Sequence, residues 1–372
     1  MANDRRSWAP DVPVSPGETI REILEERAIS QVDFATRLGR SEKFVSQLIN
    51  GKASLSYDTA IELERVLGVP ASFWNRAEAT YRGLLAHQTR LAASEEQAEW
   101  VRSFPVKDMA DKGLIARKTS AAEQAEGLLS FFGVSSIDAY RDYWSAERRL
   151  AARMSTAYTP EVPAITAWLR AGEREAELID TAPYDEERFR LVLDELRHAT
   201  RLLPCEWQPL VVSRCAEAGV AVVFVPDLPK TRCHAVSWWV SKTRAVIQLG
   251  SFYKTDDQVW FSLFHEAAHL LLDRSRSRIS DLDGDAETER KMSEFAGNLL
   301  IPAEAYESFV SQGRPSKAEV VAFAEHIGIA ASVVVGRLQH DRVIPYNWMN
   351  DLKTKLDWAV YPHSTPRFSQ SP

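Results

Sequence analysis
The spacing of apolar residues changes character near residue 205. Before it, apolar side chains recur every three to four positions, the period of helices buried along one face. Short helical patterns crowd residues 15–83. Residues 84–150 are helical, charged and uneven, with a break at "FFGVSS" around Gly133, and amphipathic stretches follow at 164–178 and 185–203. Beyond residue 205, "GVAVVFVP" (219–226), "AVSWWV" (235–240) and "AVIQLG" (245–250) are short runs of β-branched and aromatic residues, which predict strands. Only "SKTR" separates the last two, so they predict a hairpin. Helical spacing then returns at 256–273, 286–300 and 317–340. The pattern predicts a mainly α fold with a small β-sheet (α+β). Its expected parts are an N-terminal domain of short helices at 15–83, a helical connector at 84–204, a third domain at 205–358 and a flexible tail at 359–372. A second disordered tail is expected over residues 1–15, where proline punctuates the chain.

The candidate chemistry of the third domain lies in "FHEAAHLLL" (264–272), an apolar helix with His265, Glu266 and His269 in its middle. Burying unpaired polar groups costs several kcal/mol, so these side chains need a partner. Histidines at i and i+4 share one helix face and can ligate one Zn²⁺, with the intervening glutamate placed as general base for the water that such an ion activates. A third ligand is sought on "AETERKMSEFAGNLLIP". At about 100° per residue, Glu289 falls on the face of Met292, Phe295, Ala296, Leu299 and Leu300, while Glu287, Arg290, Lys291 and Glu294 point away. Ser293 lies near that face and can support a ligand by hydrogen bonding. The metal set is therefore His265, His269 and Glu289, with Glu266 catalytic. The competing reading is a chance motif whose histidines are satisfied core groups. His234 and Tyr253 are weaker candidates for polarising a carbonyl, and His326 and His340 carry no assigned role. The hairpin strand before the helix is an edge on which an extended peptide can be held by strand addition.

The N-terminal stretch has a definite grammar. Pro16 can start a helix, Ser30 can cap "QVDFATRL", Gly39 closes that helix in a turn, and Ser41 caps "EKFVSQLIN". Phe34, Ala35, Leu38, Val45, Leu48 and Ile49 would glue the pair as a helix-turn-helix. Ser41, Glu42, Lys43, Ser46, Gln47 and Asn50 then face outward, in types suited to base edges of a major groove. Gln31, Arg40 and Lys52 flank them as candidate phosphate contacts. The alternative is a helical bundle with a merely solvated polar face.

Composition narrows the setting. The net charge of −7 excludes nucleic-acid binding over the whole surface but not by one local face. No run of about 18 apolar residues predicts a membrane span, and the N-terminus lacks the pattern of a secretory signal. Three cysteines without ligand spacing fit a reducing cytoplasm.

Residues 15–83 resemble the antitoxin of the HigBA toxin–antitoxin systems, within the Xre/Cro repressor family. The resemblance rests on "SPGETIREILEERAISQ", "ATRLG" and "INGKASLSYDTAIELERVLGVPASFW", followed by Tyr81. From about residue 205 the chain resembles the ImmA/IrrE zinc metallopeptidases, through "GVAVVFVP", "FSLFHEAAH", "ERKMSEFAGNLLIP" and "VVVGRLQHDRVIP". The resemblance implies a five-helix Xre-type bundle and a zincin-like metallopeptidase domain. It also implies His265, His269 and Glu289 as ligands and Glu266 as general base. The chain departs from the family at Ser293, where Asn or Asp is common, and at Lys291, where a second Glu is common. The expected protein is a cytoplasmic homodimer on operator DNA whose zinc endopeptidase domain cleaves a regulatory protein. Two other readings are a non-enzymatic antitoxin whose zincin-like domain binds a toxin or signal, and a sensor that clips itself.

Overall fold
The computed structural model describes residues 14–90, 95–144, 162–231, 233–272 and 286–358. The two tails expected from sequence fall largely or wholly outside these residues, as does the loop at 273–285. The chain divides into two compact units between Glu95 and Glu96.

The first unit holds α1 (Pro16–Glu26), α2 (Gln31–Leu38), α3 (Glu42–Ile49), α4 (Tyr57–Leu67) and α5 (Ala71–Arg90). Its start signals work as the side-chain chemistry demands. Ser30, Ser41 and Ser56 accept from the backbone N–H of Asp33, Phe44 and Thr59, each satisfying one orphan donor of a helix N-terminus. Gly39 ends α2 at φ 67°, the left-handed turn that opens the helix-turn-helix. All six residues expected to glue α2 to α3 are buried, in one core with Ile20, Leu63 and Trp74.

The second unit begins with α6 (Glu95–Arg102), α7 (Val106–Asp111), α8 (Ala121–Phe132), α9 (Ile137–Tyr143), α10 (Val162–Glu177), α11 (Glu186–Ala199) and α12 (Pro204–Ala216). The sheet follows: β1 (Val220–Val225), β2 (Ala235–Ser241) and β3 (Arg244–Gly250). Its order is β1-β3-β2, with β1 parallel to β3 and β2 antiparallel to it, Ser237 opposite Ile247. The remaining helices are α13 (Asp256–Leu272), α14 (Ala286–Leu300), α15 (Ala303–Val310), α16 (Lys317–Ile327) and α17 (Ala331–His340). Both sheet faces are covered. Ala221, Val223, Val236, Trp238 and Val246 share a core with Phe131, Trp144 and Trp168 of the preceding helices. Val220, Val222, Ile247 and Leu249 pack with Trp207, Trp260, Phe264 and Val334. Two-sided burial explains why β1 reads as an unbroken apolar run rather than an alternating one.

Two differences from the sequence reading have physical causes. The segment expected as a connector is divided: α5 extends the first unit to Arg90, while α6–α10 supply one whole side of the sheet's core. The helix expected at 317–340 is two helices bent by 116°. Gly328 takes φ 73° and ends α16, with Ala330 extended before α17. A Cβ at Gly328 would sit 2.9 Å from His198 Nδ1, so the close approach of α11 also requires glycine there.

Candidate metal centre and DNA-reading helix
Helices α13 and α14 pack side by side and bring three predicted ligands together. His265 Nε2 lies 3.0 Å from His269 Nε2 and 3.1 Å from Glu289 Oε2, and His269 Nε2 lies 3.6 Å from the same oxygen. Atoms held about 2.0–2.1 Å from a tetrahedral ion stand about 3.3 Å apart, so this triangle has the dimensions of three zinc ligands. His269 Nδ1 and Glu289 Oε1 are buried without a hydrogen-bond partner among the described residues. Ser293 Oγ lies 3.3 Å from His265 Nδ1, on the far side of the ring from that triangle. That contact favours the tautomer whose Nε2 keeps its lone pair for a metal. The charged neighbours on α14 turn outward and pair with one another, Lys291 with Glu287 and Arg290 with Glu294.

Glu266 points from α13 toward the sheet. Its Oε2 accepts from Ser237 Oγ of β2 at 2.7 Å, and both residues are buried. Ser237 was not among the residues singled out from sequence, yet a signal exists: one hydroxyl inside "AVSWWV" on a strand buried on both faces needs an acceptor. His234 stacks on Phe252 with ring centroids 3.8 Å apart, and burial lowers its pKa. Tyr253 accepts from Ser262 Oγ, and burial raises its pKa. His326 is exposed, and His340 Nδ1 lies 2.9 Å from Asp341 Oδ1.

Buried polar clasps fix the start of α13. Asp256 accepts from Ser332 Oγ and from Thr354 N–H; Asp257 accepts from Lys353 Nζ at 2.7 Å. Gln339 donates to Tyr346 O, Trp348 O and Asn350 Oδ1 and accepts from Lys353. Residues 346–354 are thereby strapped to α13 and α17. Acidic residues in the first helical turn also suit the helix dipole.

In the first unit, Gln31, Glu42, Lys43, Ser46, Gln47 and Lys52 are exposed, as α3 requires if it is to meet a groove. The other three predicted contacts have local duties. Ser41 caps α3, Asn50 donates to Ser46 O and lies within 3.5 Å of Arg21 Nη2, and Arg40 makes a two-pronged bond to Glu62 at 2.8 and 3.0 Å.

Residues 20–74 match the Helix-turn-helix family, and residues 215–339 match a peptidase family described as the IrrE N-terminal-like domain. The chain thus carries an Xre-type helix-turn-helix domain at its N-terminus and an IrrE/ImmA-like peptidase-family domain at its C-terminus. Among known proteins it is similar to the uncharacterized HTH-type transcriptional regulator YddM of Escherichia coli K12, at 36% identity over 59 residues, or 16% of this chain and 63% of that protein. A solved structure from Nostoc punctiforme, described as an antidote protein of a plasmid maintenance system, shares 32% identity over 24% of this chain and 94% of its own, with a TM-score of 0.22. No single helix among the described residues is long and apolar enough to cross a membrane.

Proposed function
We propose that the protein is a cytoplasmic regulator of the HigA antitoxin type, binding operator DNA as a homodimer through α3 and cleaving a regulatory protein with a zinc-dependent endopeptidase site. The observation that carries the enzymatic half is the triangle of His265, His269 and Glu289 in the peptidase-family domain. These three residues hold the ion. Bound there, zinc supplies a Lewis acid that makes water nucleophilic near neutral pH. Ser293 orients His265. Glu266 takes the proton of the attacking water and returns it to the leaving amine. The substrate segment lies extended along the open edge of β2, the strand whose Ser237 also holds Glu266. On the DNA side, Gln47 and Ser46 read base edges while Gln31, Lys43 and Lys52 meet the backbone.

The test compares wild type with Glu266→Gln and Glu289→Ala. Elemental analysis is expected to find one zinc per chain in the first two and little in the third. New protein N-termini in cells expressing the wild type are expected to be absent with either variant. A wild type without zinc, or the same fragments from Glu266→Gln, sinks the enzymatic reading and leaves a DNA-binding regulator.

A further inference from the structure
A cavity of about 220 Å³ opens between α13, α14 and α17, walled by Phe261, Leu300 and Val333 and bordered by Asp257, Arg337 and Lys353. It begins one helical turn from the proposed metal ligands. Phe261 precedes His265 by four residues, and their ring centroids are 6.0 Å apart. On α14, Ser293 and Gly297 continue the row that starts at Glu289, and Gly297 lines the cavity. The volume lies below the roughly 300–1,000 Å³ of pockets for whole small molecules. It exceeds the roughly 150 Å³ of an apolar cavity that takes one benzene ring.

Building on the peptidase reading, we propose that this cavity receives the substrate side chain beside the scissile bond, and that Asp257 selects an aromatic ring tipped by a neutral donor, namely tyrosine or tryptophan. Asp257 is only 6% exposed. Its Oδ2 accepts from Lys353 Nζ at 2.7 Å, but its Oδ1 is buried with no hydrogen-bond partner among the described residues. Leaving a buried acceptor unpaired is costly. Shielded from water, this oxygen gives up little when a phenol O–H or an indole N–H donates to it. The rest of the border decides against other tips. Lys353 is engaged with Asp257 and Gln339, while Arg337 donates to Asp341 and its guanidinium lies 5.1 Å from the centroid of the Tyr306 ring. Both cations already have partners, so neither calls for an acidic tip. An ammonium tip would bring a third positive charge to a lining whose one acidic residue, among those described, is Asp257. A serine or threonine hydroxyl would leave most of the volume empty, and phenylalanine would leave Oδ1 unpaired.

Gly336 is the independent sign that room for this carboxylate is reserved. It lines the cavity from inside α17, where glycine weakens a helix. A Cβ there would lie 2.8 Å from Asp257 Oδ2 and 3.2 Å from Asp257 Cβ, so any side chain at 336 would push the carboxylate out of its place.

The experiment uses the zinc-loaded full chain and a pool of acetylated decapeptide amides randomised at each position, with fragments sequenced by mass spectrometry. Separately, p-cresol, toluene and benzylamine are titrated against zinc-loaded Glu266→Gln protein by ligand-observed NMR; they carry the tips of tyrosine, of phenylalanine and of a cationic analogue. A hydrogen bond to a charged acceptor should place tyrosine and tryptophan about tenfold above phenylalanine and lysine at one position flanking the cut, and make p-cresol bind about tenfold tighter than the other two probes. Both preferences should vanish in Asp257→Asn, whose amide oxygen can stay with Lys353 while its NH₂ group faces the ligand. They should weaken in Gly336→Ala, which crowds the carboxylate without removing it. Zinc content and circular dichroism check the folding of both variants. Cleavage that treats phenylalanine and tyrosine alike overturns the proposal, as do preferences unchanged in both variants. Selective p-cresol binding beside cleavage indifferent to aromatic residues also overturns it, since the pocket then takes a free phenol and not a substrate side chain. Selective, Asp257-dependent p-cresol binding without any cleavage keeps the pocket and refutes the peptidase reading. Neither cleavage nor selective p-cresol binding refutes both.

Discussion

The Ser237 hydroxyl ties Glu266 to the sheet, and its loss has a readable consequence. Removing a donor from a buried carboxylate costs about 1–3 kcal/mol. Ser237→Ala is therefore expected to lower the unfolding free energy by that amount, read as a lower denaturant midpoint at an unchanged m-value, while zinc content stays at the wild-type level. An unshifted midpoint would mean that the bond contributes nothing. Asp227 gives a second prediction at this scale. Burial raises its carboxyl from 3.8 to about 6, and its Oδ1 has no hydrogen-bond partner among the described residues. A carboxyl that binds its proton more tightly when folded makes stability fall as pH climbs from about 4 to about 6, with the loss complete above that range. Asp227→Asn cannot ionise, so its stability relative to wild type should rise between pH 4 and pH 7; a flat difference in melting temperature across that range counts against the assignment. The residues legible in advance were those with a fixed helical offset, His265 and His269 at i and i+4 and Glu289 on an apolar face. Ser237 was not legible, because it matters through a neighbour more than 25 residues away in sequence.

At the scale of elements, legibility followed local punctuation. Ser30 and Ser41 cap the starts of α2 and α3 with hydroxyls that act three residues ahead, and Gly39 ends α2 in a left-handed turn, so the helix-turn-helix could be placed from sequence. The break between α16 and α17 was missed because "VVAFAEHIGIAASVVVG" keeps a helical period through Gly328. What stops the helix is a left-handed backbone and the approach of His198, a tertiary fact. The same distinction sharpens the DNA prediction. Gln47 is exposed on α3 and makes no side-chain hydrogen bond among the described residues, whereas Arg40 is engaged with Glu62. Gln47→Ala is expected to weaken operator binding by about 1–3 kcal/mol with relaxed sequence preference. Lys43→Ala should weaken specific and non-specific binding alike and reduce the salt slope by about one. Titrations at several salt concentrations separate the two; an effect of Gln47→Ala equal on operator and random DNA removes it from base reading.

At the scale of the whole molecule, the His265, His269 and Glu289 triangle belongs to one unit and α3 to the other. A ligand that binds only the folded form stabilises by about 4 kcal/mol at a thousand times its Kd. Stripping zinc with a chelator is therefore expected to lower the calorimetric transition of the C-terminal unit, and re-addition to restore it. A thermogram indifferent to metal would contradict the site. The expected connector shows where sequence reading ran out. Trp168, Phe131 and Trp144 look like ordinary amphipathic-helix residues, and nothing local announces that they close the sheet.

The straps from Gln339 and Asp256 to residues 346–354 make the recognisable stretch of homology smaller than the object that folds. A gene trimmed to residues 215–339 would discard the helical lid over Val223, Val236, Trp238 and Val246 together with the ribbon that ties down the first turn of α13. Such a fragment should emerge as an insoluble, dye-binding aggregate, and fermenting residues 96–358 instead should return a monodisperse protein.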